Sequence, residues 1–329
     1  MSKEWVRDAP HPVVRWMFIT GNRLRVAAVL SLLFVVLAAL LIEFDLVYVG
    51  PGSNLSTALS SGMLSGLLTL LTVALSVNQL ILSRLFGSAG TLSDQLEGTL
   101  DYRRSVEDIA DVAVSPNKPT VFLSFLADTL KQSLDRFQRE ATSTSVDFDS
   151  GDDPGAYASA VTDYAEHLSP AGDLDDAFKV LLLVLGEDYA EHLDTTREFQ
   201  GRYGDRLPDG AVEALDDVLE LLKAIATMRQ FFKTLTLQQE LAMLSRRLMY
   251  TGLPAVLVTY FLSFVYTSAS DVPTAIEPVY MPVVVAVATG VILSPLAVLV
   301  ASLLRIATVS LYSVSVGTFT PPQKTFETE

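Results

Sequence analysis

The chain has 329 residues, no cysteine, and 38 Asp plus Glu against 23 Lys plus Arg, a formal net charge of -15. Half of its residues are hydrophobic and its mean hydropathy is +0.38. Lacking cysteine, it has no disulfide scaffold, no thiolate-bound zinc or iron–sulfur site and no cysteine nucleophile, and its acidity opposes nucleic acid, which needs a basic surface.

The first 25 residues are basic, with Lys3, Arg7, Arg15, Arg23 and Arg25. A small-residue cleavage site is missing and more apolar runs follow, so this is not a cleavable signal. Trp16 and Phe18 beside Arg15 and Arg23 fit a short interfacial segment; a free tail is the alternative. Val26 to Ile42 is then the first of four stretches without Asp, Glu, Lys, Arg or His. A membrane span needs about 20 apolar residues, and the dry bilayer core forces a helix. The second stretch, Leu46 to Ser83, opens on the turn-like VYVGPGSN and predicts a helix from about Ser56. Leu248 to Ser270 and Pro278 to Leu304 are the third and fourth.

Between the second and third spans lies the charge. Residues 94–240 hold 30 acids and 13 bases, a net of -17, and the rest of the chain has a net of +2. Arg outnumbers Lys 16 to 7. An acidic, Lys-poor surface suits a cytoplasm of molar salt, which screens self-repulsion, so the expected source is a halophilic archaeon. After the hinge-like FGSAG, Leu92, Leu96, Leu100, Val106 and Ile109 recur at helical spacing. SPNKPT breaks the pattern, and Val121, Phe122, Phe125, Leu126, Leu130, Leu134 and Phe137 mark a second helix to about Arg139. An acidic loop, STSVDFDSGDDPG, precedes helices expected over 156–168 and 174–200. After GRYGDRLPDG, an uninterrupted helical pattern from Ala211 to Gly252 leads into span three as a stalk. No segment alternates like a strand.

The expected fold is therefore all-α: a four-helix transmembrane bundle of two plus two spans, with a helical domain inserted between spans two and three. Its parts are a basic segment (1–25), spans one and two (26–83), an acidic helical domain (84–247), spans three and four (248–305) and a tail (306–329). Bases set the orientation. Arg23, Arg25, Arg84, Arg246, Arg247 and Arg305 flank the spans on one side, whereas the two short loops carry Glu43, Asp45, Asp271 and Glu277 and no base. Both termini and the acidic domain are expected in the cytoplasm, with the protein in the cell membrane.

Span two carries the most informative pattern. Ser61, Ser65, Thr69, Thr72, Ser76, Gln79 and Ser83 follow one another at three- and four-residue steps, one continuous stripe on a helix, with Gly62 and Gly66 beside it. Small and hydroxyl residues allow close helix packing. The same stripe repeated around an axis would line a pore. Pro254 and Pro295 are expected to kink spans three and four. No ionisable residue interrupts the apolar runs, which opposes a proton relay or an ion-coupled carrier. Four spans are few for alternating access, so conduction would require a homo-oligomer.

DYAEHL occurs twice, at 163–168 and 188–193. Asp163 with His167, and Asp188 with His192, share a helix face and are conceivable zinc or manganese ligands. The spacing matches no standard metal motif, and two exposed acidic helix ends are the simpler account. DFDSGDD places its glycine one position early for a calcium loop and has Ala158 in place of the bidentate Glu. FGSAG lacks the Lys of a phosphate loop. No catalytic motif and no cofactor site is found.

SVNQLILSRLFGSAG followed by LDYRRSVED resembles a stretch of uncharacterised multi-pass membrane proteins of haloarchaea and some actinobacteria, over Ser76 to Asp108. That resemblance implies no activity. The layout of two spans, a helical block and two spans is similar to the bestrophin anion channels, in which the second span lines a pentameric pore. Bestrophin necks are apolar and aromatic, whereas this stripe is Ser and Thr, and no calcium clasp is present. Two functions are expected as alternatives. One is an oligomeric ion channel lined by span two. The other is a membrane-anchored scaffold or signalling protein whose acidic domain binds a cytoplasmic protein partner.

Overall fold

The computed structural model describes residues 21–50, 53–85, 89–143, 153–184, 189–265 and 276–312, with Trp16 and Phe148. The fold is all-helical, with no strand among the described residues. We number the helices α1 (Arg23–Glu43), α2 (Leu64–Leu85), α3 (Ala89–Ala110), α4 (Pro119–Thr142), α5 (Pro154–Leu168), α6 (Ala177–Val184), α7 (Tyr189–Tyr203), α8 (Asp209–Val265) and α9 (Met281–Tyr312). Four helical segments are long and apolar enough to cross a membrane: Arg23–Glu43, Leu55–Leu80, part of Asp209–Val265, and Pro278–Ala307.

Helix bounds differ from the apolar runs in a consistent way. The helix of span four continues past Leu304 to Tyr312, and α8 runs unbroken from Asp209 to Val265. A charge-free run marks what lipid would tolerate, whereas a helix ends only where backbone bonding ends. Within the range 174–200, expected as one helix, the described residues are helical over Ala177–Val184 (α6) and Tyr189–Tyr203 (α7), and residues 185–188 lie outside the described set.

Contacts divide the chain into two compact units. One contains 87–236. Its centre is α4, whose Leu123, Leu126, Leu130, Leu134 and Phe137 are almost fully buried. Phe137, Tyr157 and Phe199 form an aromatic cluster with Phe137 edge-on to both partners, at centroid distances of 5.7 Å. The expected α3 face is only partly used: Val106 is buried, but Leu92, Leu96 and Leu100 are exposed. At the α3–α4 corner, Glu107 Oε1 accepts from the Ser115 amide at 2.7 Å and its hydroxyl at 2.6 Å. These bonds hold the carboxyl below the usual carboxylate range. Their contribution is therefore present above the ordinary Glu pKa and lost as pH falls through the lowered value. Ser115→Ala removes one donor, so the Glu107 titration followed by NMR is expected to move up toward the ordinary value.

The second unit contains 9–86 and 237–310. Val26 and Ala27 of α1, Ala74 of α2, Leu244 and Leu248 of α8, and Ala297, Val298 and Ala301 of α9 share one core cluster. Neighbouring helices approach closely at two glycines. A Cβ at Gly252 would lie 2.5 Å from Leu71 Cδ2. At Gly290 it would collide with Val35 Cγ2 and lie 3.4 Å from the Ser31 carbonyl oxygen. Small residues at such crossings are how membrane helices pack. Gly290→Leu is expected to lower the thermal midpoint in detergent sharply, because stiff Val35 and the α1 backbone block it; overpacking typically costs about 1–3 kcal/mol. An unchanged midpoint would contradict this packing.

Both predicted kink sites lie inside helices: Pro254 in α8 and Pro295 in α9. Pro295 lacks the N–H that would reach the Val291 carbonyl, and Ser294 Oγ donates to that carbonyl instead, at 2.8 Å.

Candidate functional site

The second span starts with a helical turn (Leu55–Thr57) and a six-residue π-helical stretch (Ala58–Met63) before α2. Widened π turns are rare and concentrate at functional sites. This one carries Ser61 and Gly62 at the start of the stripe. Ser56 Oγ ties the entry to the end of α8 by donating to the Ser263 carbonyl at 2.7 Å.

Leu59, Leu67 and Ala74 mark the face that the span packs into the bundle. At about 100° per residue the stripe falls on the opposite side. Ser61, Ser65, Thr69, Thr72, Ser76, Gln79 and Ser83 are all exposed. A Cβ at Gly62 or Gly66 would meet nothing within 4 Å. Among the described residues, then, the stripe and its glycines pack against no helix, and the close crossings are at Gly252 and Gly290 instead.

Five of the six hydroxyls of the stripe turn inward on their own backbone. Ser61 donates to the Thr57 carbonyl at 2.6 Å, Thr69 to Ser65 and Thr72 to Leu68 at 2.9 Å each, and Ser76 to Thr72 at 3.0 Å. Ser83 donates to Leu80 at 2.9 Å. In these five residues the donor is used locally, so their oxygens are left as acceptors on the exposed face.

The span-flanking bases separate into two sets. Arg25 and Arg246 are exposed, and the Arg84 side chain lies outside the described residues. Arg23 is 2% exposed, and Arg305 Nη1 stands 3.0 Å from Glu240 Oε1 with both side chains largely buried. Arg247 is half-buried. Sequence reasoning assigned Glu240 to the acidic domain and missed this pairing. No local spacing carries it, because Glu240 and Arg305 lie on different helices, 65 positions apart.

The DYAEHL copies place their apolar residues in the core. Tyr164, Ala165 and Leu168 are buried in α5, and Tyr189 and Leu193 in α7. His167 Nε2 contacts the Leu183 carbonyl at 3.2 Å, and the His192 ring packs on Tyr164 at 5.0 Å. Asp163 is exposed, and Asp188 lies outside the described residues. Among the described residues no group of three or more His, Asp and Glu is placed to hold a metal. The tyrosine and leucine of each copy enter the core.

A helical protein with four membrane-length helices and an uncovered polar face on the second is thus defined. The chain belongs to DUF7972, a family of unknown function, which matches residues 4–329. No curated protein and no solved structure matches it.

Proposed function

We propose that the chain is an integral membrane protein that assembles as a homo-oligomer around a water-filled, ion-conducting path lined by its second span. The observation that carries this reading is the exposure of all seven stripe residues on the face opposite the packed one. Facing lipid, a column of oxygen acceptors and the Gln79 amide gains nothing. Facing an axis, it forms successive rings of oxygens, which suit a cation more than an anion. The exposed Leu92, Leu96 and Leu100 of α3, spaced at i, i+4, add an apolar seam that a second copy could cover. Basic span ends and acidic short loops support a cytoplasmic location for both termini and for the acidic unit. The -17 charge over 94–240 supports a high-salt cytoplasm.

The absence of cysteine makes a clean test possible. Single cysteines at Ser65, Thr69, Thr72 and Ser76 are expected to react with a charged, membrane-impermeant thiol reagent in proteoliposomes, and to lower cation flux when they do. Cysteines at Leu32 and Leu37, on the exposed face of α1, are expected to stay unreactive. Stripe cysteines as inert as those on α1, with no flux under any gradient, would sink the pore.

A further inference from the structure

Part of α3 stands clear of its own chain. Every residue from Leu92 to Asp101 is exposed, and a Cβ at Gly98 would meet nothing within 4 Å. The other end of the helix is anchored. Val106 is fully buried, the Tyr102 ring packs on Phe122 at 5.7 Å, and the Tyr102 hydroxyl donates to the Ala224 carbonyl at 2.8 Å. Arg103 and Glu107 are tied to the Ser115 corner. A helical stretch of about ten residues is marginal in water without a packed face, and a glycine inside it weakens it further.

The apolar residues of this stretch nevertheless lie together. Leu92, Leu96 and Leu100 fall within about 80° of one another around the helix, and Ser93 and Thr99 border them. Asp94, Glu97 and Asp101 lie about 100–160° from Leu96, so no charge enters the seam. The placement of charge decides what covers the leucines. A helix that lies on a membrane surface carries bases on its polar face, and this one carries acids. A basic partner would be drawn to the acidic side, away from the leucines. A second copy suits both faces: leucines meet leucines, and the acids of both helices point away from the contact. Copies confined to one membrane also meet at a high effective concentration, so a short seam suffices.

We propose that Leu92, Leu96 and Leu100 of α3 make a homotypic contact with the same three residues of a second copy, joining the acidic units of neighbouring subunits. The contact names a partner surface for the oligomer of the pore reading, and it rests on assembly and not on conduction.

The absence of cysteine again supplies the probe. The full chain in proteoliposomes at molar salt, with a single cysteine at Leu92, Leu96, Leu100, Asp94 or Asp101, is treated with a mild oxidant. Leu96→Cys sits at the middle of the seam, where parallel and antiparallel helices alike bring it to its own counterpart. It is expected to form an intersubunit disulfide about tenfold faster than Asp94→Cys or Asp101→Cys, because the bond needs Cβ atoms about 3.5–4.5 Å apart. Leu92→Cys bridged to itself marks parallel helices; Leu92→Cys bridged to Leu100→Cys in a mixed sample marks antiparallel ones, and each supports the contact. Leu96→Asp buries an unpaired charge only when the seam is covered by a second copy. It is expected to cut bridging at Leu92 and Leu100 about tenfold and to leave helical circular dichroism unchanged. Seam cysteines that bridge no faster than those on the acidic face overturn the proposal. So do seam cysteines that are shielded from a soluble thiol reagent without bridging, which would put lipid or another part of the chain over the leucines. Seam bridging in a preparation without cation flux keeps this contact and removes the pore; flux with reactive stripe cysteines and no seam bridge does the reverse.

Discussion

Thr72→Trp is expected to bring cation flux in proteoliposomes down to the protein-free background. Thr72 is the fourth of the seven stripe residues, midway along the exposed face of α2. In an assembly with α2 around an axis, one substitution places an indole from every copy at the same level, so the steric effect is multiplied by symmetry. In a single chain the same position faces open space, and Thr72 loses only a bond to its own Leu68 carbonyl. Folding should therefore survive, which size-exclusion elution and helical circular dichroism would check. Leu32→Trp, on the exposed face of α1, is the matched control and is expected to leave flux intact. Full flux through Thr72→Trp would place the conducting path, if there is one, away from α2. A stripe used for packing between copies predicts a different result: Thr72→Trp would dissociate the oligomer while the monomer stays folded.

The second large effect concerns stability. Arg305→Ala removes the partner of Glu240, whose side chain is 6% exposed and whose second oxygen already lacks a hydrogen bond. Breaking a buried ion pair on one side typically costs about 3–5 kcal/mol, because the remaining charge is neither solvated nor paired. Arg23 stays within electrostatic range of Glu240, which puts the expected loss near the lower figure. Replacing both partners, as Arg305→Met with Glu240→Met, is expected to recover most of it, since no charge is then stranded. Chemical unfolding of the wild type, Arg305→Met, Glu240→Met and the double variant in one detergent gives the coupling directly. Additive losses in the double variant would show that the pair does not interact.

Both predictions turn on features that the sequence revealed to different degrees. The four spans were legible from the charge-free runs alone. In a dry solvent a long apolar segment has no conformation but the helix, whatever surrounds it, so local composition suffices. The buried face of α4 was legible for a related reason: of the seven residues expected on it, Phe122, Leu126, Leu130, Leu134 and Phe137 are buried, Phe125 is half-buried and Val121 is exposed. The same rule overreached at Leu92, Leu96 and Leu100, which have the spacing of a core face but are exposed. Periodicity reports which residues share a face, and only the neighbouring elements decide whether that face is covered.

The polar stripe shows the same division. Its existence followed from three- and four-residue steps, and so did the presence of glycines beside it. That it lies opposite Leu67 and Ala74, and that Gly252 and Gly290 rather than Gly62 and Gly66 meet other helices, depended on how the four helices rotate against one another. DYAEHL is instructive in reverse. Its acids and histidines suggested ligands, while its Tyr and Leu, the residues that enter the core, carried the repeat.

The net charge of -15 illustrates what each level determined. Sequence by itself located that charge in residues 94–240, left the spans nearly neutral and placed arginines at their ends, because charge and hydropathy are properties of residues one at a time. Tertiary structure alone decided that Arg305 pairs with Glu240, which a linear count assigns to the acidic unit, and that Arg23 lies within electrostatic range of Glu240, Arg247 and Arg305. These residues come from three helices and are separated by up to 282 positions. Coulombic attraction and desolvation depend on distance in space, which no one-dimensional pattern contains.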